Sequence, residues 1–490
     1  MKAIIIGSTK HLFLAAFYAS VGILVALLAT SIYFLNARPD LSLWHTTKLK
    51  NEFRYNTKIT DFSEYSALED KLFAEVDKKV RQKIPASEHS PVNRYVKNSL
   101  SDPIHWSQNW NRSFEWPKKE AAFGVLLLHG MSDSPYAMSN VAAHFKGKAH
   151  VLGLRFPGHG TLPSGLTELY WQDLAAAVNL ATAHMKQQLK GKPLFVIGFS
   201  TGAAVALNHE LELINQHKSP DYAGMIFISP AIGLAPSAAV ARWQNWIGQL
   251  LGLDKLQWNS IQVEYDPFKY MSFAVNAGDV VYQLALRNQG LLAGLTPVQR
   301  EQIPSILTFQ SVVDATVSSR AVVNTLYQVL PAKGHELVLF DMNRTSINRN
   351  MMLNDPLPLL LPTVPDSVHY RGTLIENINP ETTQVQAREF AVLPHQDAQT
   401  SKNITPLTLS WSEDVYALSH VAILFAKDDG LYGLRNDTDK RRIQIGGAAA
   451  RGERGVLSVS AAEMLRQKWN PFFPYVLSRI DQYQAAHMQP

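Results

Sequence analysis

The sequence predicts an α/β fold built on a doubly wound, mostly parallel sheet, and three stretches predict it, each an apolar strand-like run that meets a tight turn. The first places the run Pro193–Ile197 before the pentapeptide GFSTG, with Ser200 between Gly198 and Gly202, and the small-residue run Ala203–Leu207 after it. The second is FGVLLLHGMSDSPYAMSNVAAHF, where Gly124–Leu128 runs into His129–Gly130 and a helix begins near Tyr136. The third is HVLGLRFPGHGTLPSG, a strand ending at Arg155 with a turn through Pro157, Gly158 and Gly160. In such an alternation ligands bind beyond the carboxyl ends of the strands.

Taken in chemical order, the elbow around Ser200 comes first. A serine in a sharp strand-to-helix turn presents its hydroxyl above the sheet, and the flanking glycines let neighbouring backbone pass close. Ser200 is the candidate nucleophile. Acyl transfer builds negative charge on a carbonyl oxygen, which calls for preorganised N–H donors from the residue after the nucleophile and from the earlier strand–loop junction. The backbone N–H groups of Met131 and Thr201 are therefore the expected oxyanion hole. His159, which precedes the nucleophile in the chain, reads as a structural turn residue.

In this order, VLLLHG, RFPGHGT, GFSTG, SVVDATVS and LSHVAI resemble the α/β-hydrolase superfamily, specifically its serine esterase and monoacylglycerol-lipase-like branch, over about Phe123 to Ala426. The resemblance implies a triad in the order Ser, acid, His, with the acid beyond a late strand. Ser305–Gln310 supplies such a strand and Asp314 the loop carboxylate, with Asp341, at the end of HELVLF, as the rival acid. The histidines after Asp314 are His335, His369, His395, His420 and His487. His335 opens a strand and faces away from the site. His420, just before an apolar run, stands where the family places its base. It lies 106 residues beyond Asp314, more than a plain hydrolase core requires.

That distance implies an insertion, read over about 343–411, whose runs TLIENI, QVQAREFAV and LTLSW are expected as edge strands or a hairpin layer near the rim of the site. A second insertion, about 232–303, holds Trp243, Trp246 and Trp258 and is expected to cap the site, its apolar side chains lining an acyl-chain channel or forming the cap's own core. The stretch EYDPFKYMSFAVNAGDVVYQL inside it resembles the cap of related bacterial hydrolases.

Composition fits a folded enzyme, with 46% hydrophobic and 18% charged residues over 490. A net charge of +5 without a basic-aromatic pattern argues against nucleic acid. With no cysteine, neither disulfides nor a thiolate metal site enter. His209–Glu210 and His335–Glu336 lack the second histidine of a zinc-protease helix. No cofactor and no metal are expected.

At the amino terminus, after a tail of residues 1–11, Leu12–Leu35 is an uncharged run of 24 residues, about long enough at helical rise to cross a hydrocarbon core. It is expected to be a single-pass membrane anchor, with the catalytic domain outside the cytoplasm. Residues 36–120 read as a linker and helical lead-in, in which Tyr65, Leu68, Leu72, Val76, Val80 and Ile84 recur at helical spacing, and 121–490 as the hydrolase domain. The expected function is hydrolysis of carboxylic esters, lipid-derived ones such as a monoacylglycerol or lysophospholipid, through an acyl-enzyme. The alternatives are a serine peptidase or amidase on the same fold and a membrane-tethered binding protein without turnover.

Overall fold

A computed structural model describes residues 2–233, 253–361, 369–391, 403–412, 415–434, 439–447, 450–451, 456–460 and 465–488. Twelve strands matter to the architecture: β1 (Phe114–Trp116), β2 (Gly124–Leu128), β3 (His150–Leu154), β4 (Leu194–Phe199), β5 (Gly224–Ile228), β6 (Trp258–Ser260), β7 (Phe273–Ala274), β8 (Ile306–Ser311), β9 (His335–Phe340), β10 (Tyr370–Asn377), β11 (Gln384–Ala391) and β12 (Ile404–Ser410). Ten of them form one sheet in the order β1-β3-β2-β4-β5-β8-β9-β10-β11-β12, while β6 and β7 pair separately in the cap. From β3 to β10 every neighbouring pair is parallel, and the edges β1, β11 and β12 run antiparallel.

Strands β2, β4 and β5 are apolar throughout because both of their faces are covered. Along β2, Leu126 and Leu128 join one core while Val125 and Leu127 join the other. On β4, Leu194 and Val196 face the first core, and Phe195, Ile197 and Phe199 the second. The first core takes side chains from the helices Trp171–Leu189, Thr201–Asn215 and Val275–Gly294, the second from Ser139–Phe145 and Phe473–Ala486.

The lead-in is built into this body. Asp61 caps the helix Phe62–Val76 by accepting from the Glu64 N–H at 2.9 Å. Its apolar stripe buries Tyr65, Leu72 and Val76, and Val80 follows in a π-helical turn, with Leu68 and Ile84 partly covered. Arg155, just after β3, is 1% exposed and meets two buried carboxylates, Glu69 at 2.7 Å and Glu52 at 3.2 Å. Burial pushes its guanidinium down, and the Glu52, Tyr65 and Glu69 charges outweigh that and hold it well above its ordinary value.

One expectation requires correction and another gains no support. The strands β10–β12 of the second insertion widen the sheet at its far edge; among the described residues of 343–411 none lines the site cavity. Sheet order explains this, since β10 is four positions from β4 and each step adds about 4.8 Å. The membrane anchor expected over 12–35 gains no support, because among the described residues no helix is long and apolar enough to cross a membrane. That run lies within the helix Lys2–Asn36.

Candidate active site

The chain leaves β2 to form β3 on one side and returns to form β4 on the other, so a crevice opens between the carboxyl ends of β2 and β4, paired there as Leu128 with Gly198. Ser200 stands at this switch point. Its backbone adopts φ 52°, ψ −112°, a sparsely populated conformation for a residue with a Cβ. Three backbone hydrogen bonds hold it: Ser200 N–H donates to Ile228 O at 2.9 Å, and the Ala231 and Ala204 N–H groups donate to Ser200 O at 3.1 and 3.2 Å. A Cβ on Gly198 would lie 2.5 Å from Ala203 backbone, and one on Gly202 would lie 2.3 Å from Leu128 O. Only glycine lets the helix Thr201–Asn215 start this close to β2.

The loop after β2 is braced from below and from above. His129, fully buried, accepts from Phe156 N–H through Nε2 at 3.0 Å, which leaves Nδ1–H to donate to Gly130 O at 2.8 Å. Burial, reinforced by His159 nearby, holds its ring well below the ordinary imidazole range, so it is a neutral brace. From the cap, Tyr270 N–H donates to Ser132 O at 2.8 Å and Lys269 Nζ pairs with Asp133 at 2.5 Å. Arg94 of the lead-in holds that cap segment in turn, its side chain donating to Lys269 O at 3.2 Å. Among the described residues no acceptor engages the N–H of Met131 or Thr201. Both residues line the cavity beside Ser200.

Asp314 and His420 are brought together across 106 residues, with His420 Nδ1 donating to Asp314 Oδ2 at 2.7 Å. The loop after β8 supplies Asp314, whose other oxygen accepts from Thr316 N–H at 2.9 Å and Val317 N–H at 3.2 Å. Burial alone pushes this carboxyl up; the His420 ring and the two backbone donors outweigh it and hold Asp314 below the ordinary carboxylate range. His420 follows the short strand Ala417–Leu418 and packs against Phe199 with ring centroids 4.9 Å apart. Its Nε2 makes no hydrogen bond with Ser200 Oγ in this structure, a contact that commonly tightens only when substrate is bound.

The competing residues are engaged elsewhere. Asp341 is 1% exposed and bound by the Arg344 guanidinium, which also grips Asp355 at 2.8 Å. His335 accepts from Ile306 N–H at 3.1 Å at the opposite end of the sheet, and His159 bonds Pro157 O at 2.8 Å. His487 bonds Tyr483 O at 2.8 Å, His369 is exposed, and His395 lies outside the described residues.

Ser200, Thr201, Met131 and His420 share one cavity of about 1020 Å³. Its apolar lining includes Phe199, Met271, Phe273, Val281 and Phe425. Trp258 is absent from it: that side chain is buried against His45 of the lead-in and joins the first core. Trp243 and Trp246 lie outside the described residues. The wall opposite the cap carries Arg466 and Lys468, which no sequence pattern marks, because they sit in an irregular run far beyond His420. Among the described residues no group of three or more His, Cys, Asp or Glu is arranged to hold a metal.

A doubly wound sheet with a serine elbow at its switch point defines the α/β hydrolases. Residues 125–345 match the model described as the alpha/beta hydrolase family, and the mostly parallel sheet of the chain is that of the α/β-hydrolase fold. Among solved structures it is similar to a monoacylglycerol lipase from Paleococcus ferrophilus, at 15% identity over 47% of this chain and 88% of that one, with a TM-score of 0.36. It is also similar to a soluble variant of monoglyceride lipase from Saccharomyces cerevisiae, at 16% identity over 47% and 82%, with a TM-score of 0.37. A third is a structure from work on LipS and LipT, two metagenome-derived lipolytic enzymes, at 19% identity over 44% and 83%, with a TM-score of 0.33. No curated protein matches the sequence.

Proposed function

We propose that the protein is a serine hydrolase that cleaves carboxylic esters through an acyl-enzyme, with Ser200 as nucleophile, His420 as base and Asp314 as the acid that orients it. The observation that carries this reading is the 2.7 Å hydrogen bond between His420 and Asp314, formed beside the Ser200 elbow from segments 106 residues apart. His420 takes the Ser200 proton as Oγ attacks the ester carbonyl, and the developing oxyanion is held by the Met131 and Thr201 N–H groups. The alcohol leaves with the proton from His420. Water deprotonated by the same ring then releases the acid. The bond to Asp314 fixes the tautomer with Nε2 free on the cavity side and stabilises the imidazolium.

The cavity's size and its Phe199, Met271, Phe273, Val281 and Phe425 lining suit an acyl chain, which favours lipid-derived esters of the monoacylglycerol or lysophospholipid kind. Attachment to a membrane through residues 12–35 completes the proposal, and its support is the sequence alone. Flotation of the full chain with vesicles, against a chain beginning at Arg38, tests that part; equal flotation removes it.

Trapping with a fluorophosphonate tests the chemistry. The full chain should acquire one adduct, located by peptide mass at Ser200 and missing in Ser200→Ala. An adduct on another serine, or unimpaired ester hydrolysis by Ser200→Ala, overturns the assignment.

A further inference from the structure

The charged side chains lining the cavity are Asp133, Asp266, Lys269, Arg466 and Lys468. Both acids are already engaged. Asp133 takes Lys269 at 2.5 Å. Asp266, 1% exposed, accepts from the Phe268 and Lys269 N–H groups at 2.9 and 3.0 Å and from the Tyr432 hydroxyl. Lys468 differs from the other charges. It is partly buried, its Nζ donates to Ile445 O at 3.1 Å, and among the described residues no carboxylate lies within 4.0 Å of it.

The backbone aims this lysine. The strand Leu465–Gln467 pairs in parallel with Ala417–Leu418, the strand that delivers His420, with Ala417 opposite Arg466 and Leu418 opposite Gln467. Gln467 points to the other face, where its side-chain amide meets Ser412. Two-residue alternation then turns Arg466 and Lys468 toward the cavity. The pairing places on the same wall as the base an ammonium that has no ion pair among the described residues.

We propose that Lys468 binds an anionic oxygen group of the substrate, a carboxylate or a phosphate, and so selects acidic esters; this rests on the ester-hydrolase reading of the same cavity. An arriving anion compensates a charge that the described residues leave without an ion pair, and the partly desolvated wall strengthens the pair. Burial holds the ammonium below its ordinary value, with Asp266 opposing the shift.

The test is equilibrium binding to Ser200→Ala, which needs no turnover, with two matched pairs of ligands. One pair is para-nitrophenyl hexanoate and mono-para-nitrophenyl adipate, with the carboxylate at the acyl end. The other is monooleoylglycerol and its phosphate monoester, with the anion on the alcohol side. The anionic member of one pair should bind about tenfold tighter than its neutral partner, the order of one charge-assisted contact. That preference should vanish in Ser200→Ala/Lys468→Gln and persist in Ser200→Ala/Lys468→Arg. Equal binding within both pairs, or a preference that survives Lys468→Gln, overturns the proposal. The pair that discriminates identifies carboxylate or phosphate. Failure of the hydrolase reading looks different, since the wild-type chain would then cleave none of the four esters and resist fluorophosphonate at Ser200.

Discussion

Gly202→Ala sets two physical effects against each other at the elbow. By helix propensity alone the substitution stabilises, because alanine in the first turn of Thr201–Asn215 gains about 1 kcal/mol over glycine. The surroundings oppose it. The new methyl would lie 2.3 Å from Leu128 O and 2.6 Å from His129 O, both backbone atoms, where ordinary contact begins at 3.4 Å. The helix start and the end of β2 must therefore separate by about 1 Å, an overpacking that costs roughly 1–3 kcal/mol. The two effects leave a net destabilisation of about 0–2 kcal/mol, so the thermal melt moves little. The same separation pulls Thr201 N–H away from Met131 N–H, and a misplacement of about 1 Å at reacting groups costs on the order of 10²-fold in rate. The expected pattern is a nearly normal melt with kcat on a chromogenic ester reduced about 100-fold. Calorimetry and initial rates on the same preparation give both numbers. A variant that is more stable and turns over within about twofold of wild type would refute the reasoning, because the oxyanion donors would then tolerate the shift.

Three further outcomes are expected. Asp314→Asn should fold normally and lose about 10³–10⁴ in kcat, since an amide no longer imposes the His420 tautomer; an unchanged rate would point to Asp341 or to another acid. Because Asp314 is held below the usual carboxylate range, its charge and the orientation it gives His420 are lost only as pH falls through that lowered value. Arg155→Met strands the buried Glu52 and Glu69 and should lower the urea-derived stability by about 3–5 kcal/mol; a change under about 1 kcal/mol would mean that the lead-in contributes little to the folded body. Glu210, buried and accepting from the Asp221 and Tyr222 N–H groups, is pushed up to about 8, chiefly by burial. The folded state keeps that proton where the unfolded chain has released it, so this contribution is full below about pH 4.3, declines as pH rises to about 8, and is flat beyond. Glu210→Gln should remove the decline and be the more stable protein at high pH, by on the order of a few kcal/mol, with melts compared at acid and alkaline pH; parallel pH profiles would exclude the mechanism.

Local patterns carried part of the site. Ser200, Met131 and Thr201 lie at strand–turn junctions whose residue types are required by nearby backbone, so the pentapeptide and the loop after β2 are readable in the chain. The glycine requirement is of the same kind, although only the 2.3 Å approach to Leu128 O gives it a size. The amphipathic lead-in was legible because helical spacing is itself a physical signal, with Tyr65, Leu72, Val76 and Val80 all buried.

What the chain by itself determined is therefore the alternation of apolar strands and helices, the elbow, and an order of motifs that resembles a hydrolase. Pairing across distance belongs to the tertiary structure. Asp314 and Asp341 both follow late strands, and only the folded chain sets one against His420 and the other against Arg344. The strands of the second insertion alternate as edge strands do, yet nothing in alternation says that they widen the sheet far from the cavity. Lys468 has no pattern at all; its meaning comes from strand pairing beside His420 and from the acids that other partners have already taken. Propensity and turn chemistry act over a few residues, whereas charge compensation and burial depend on whichever segments folding brings together.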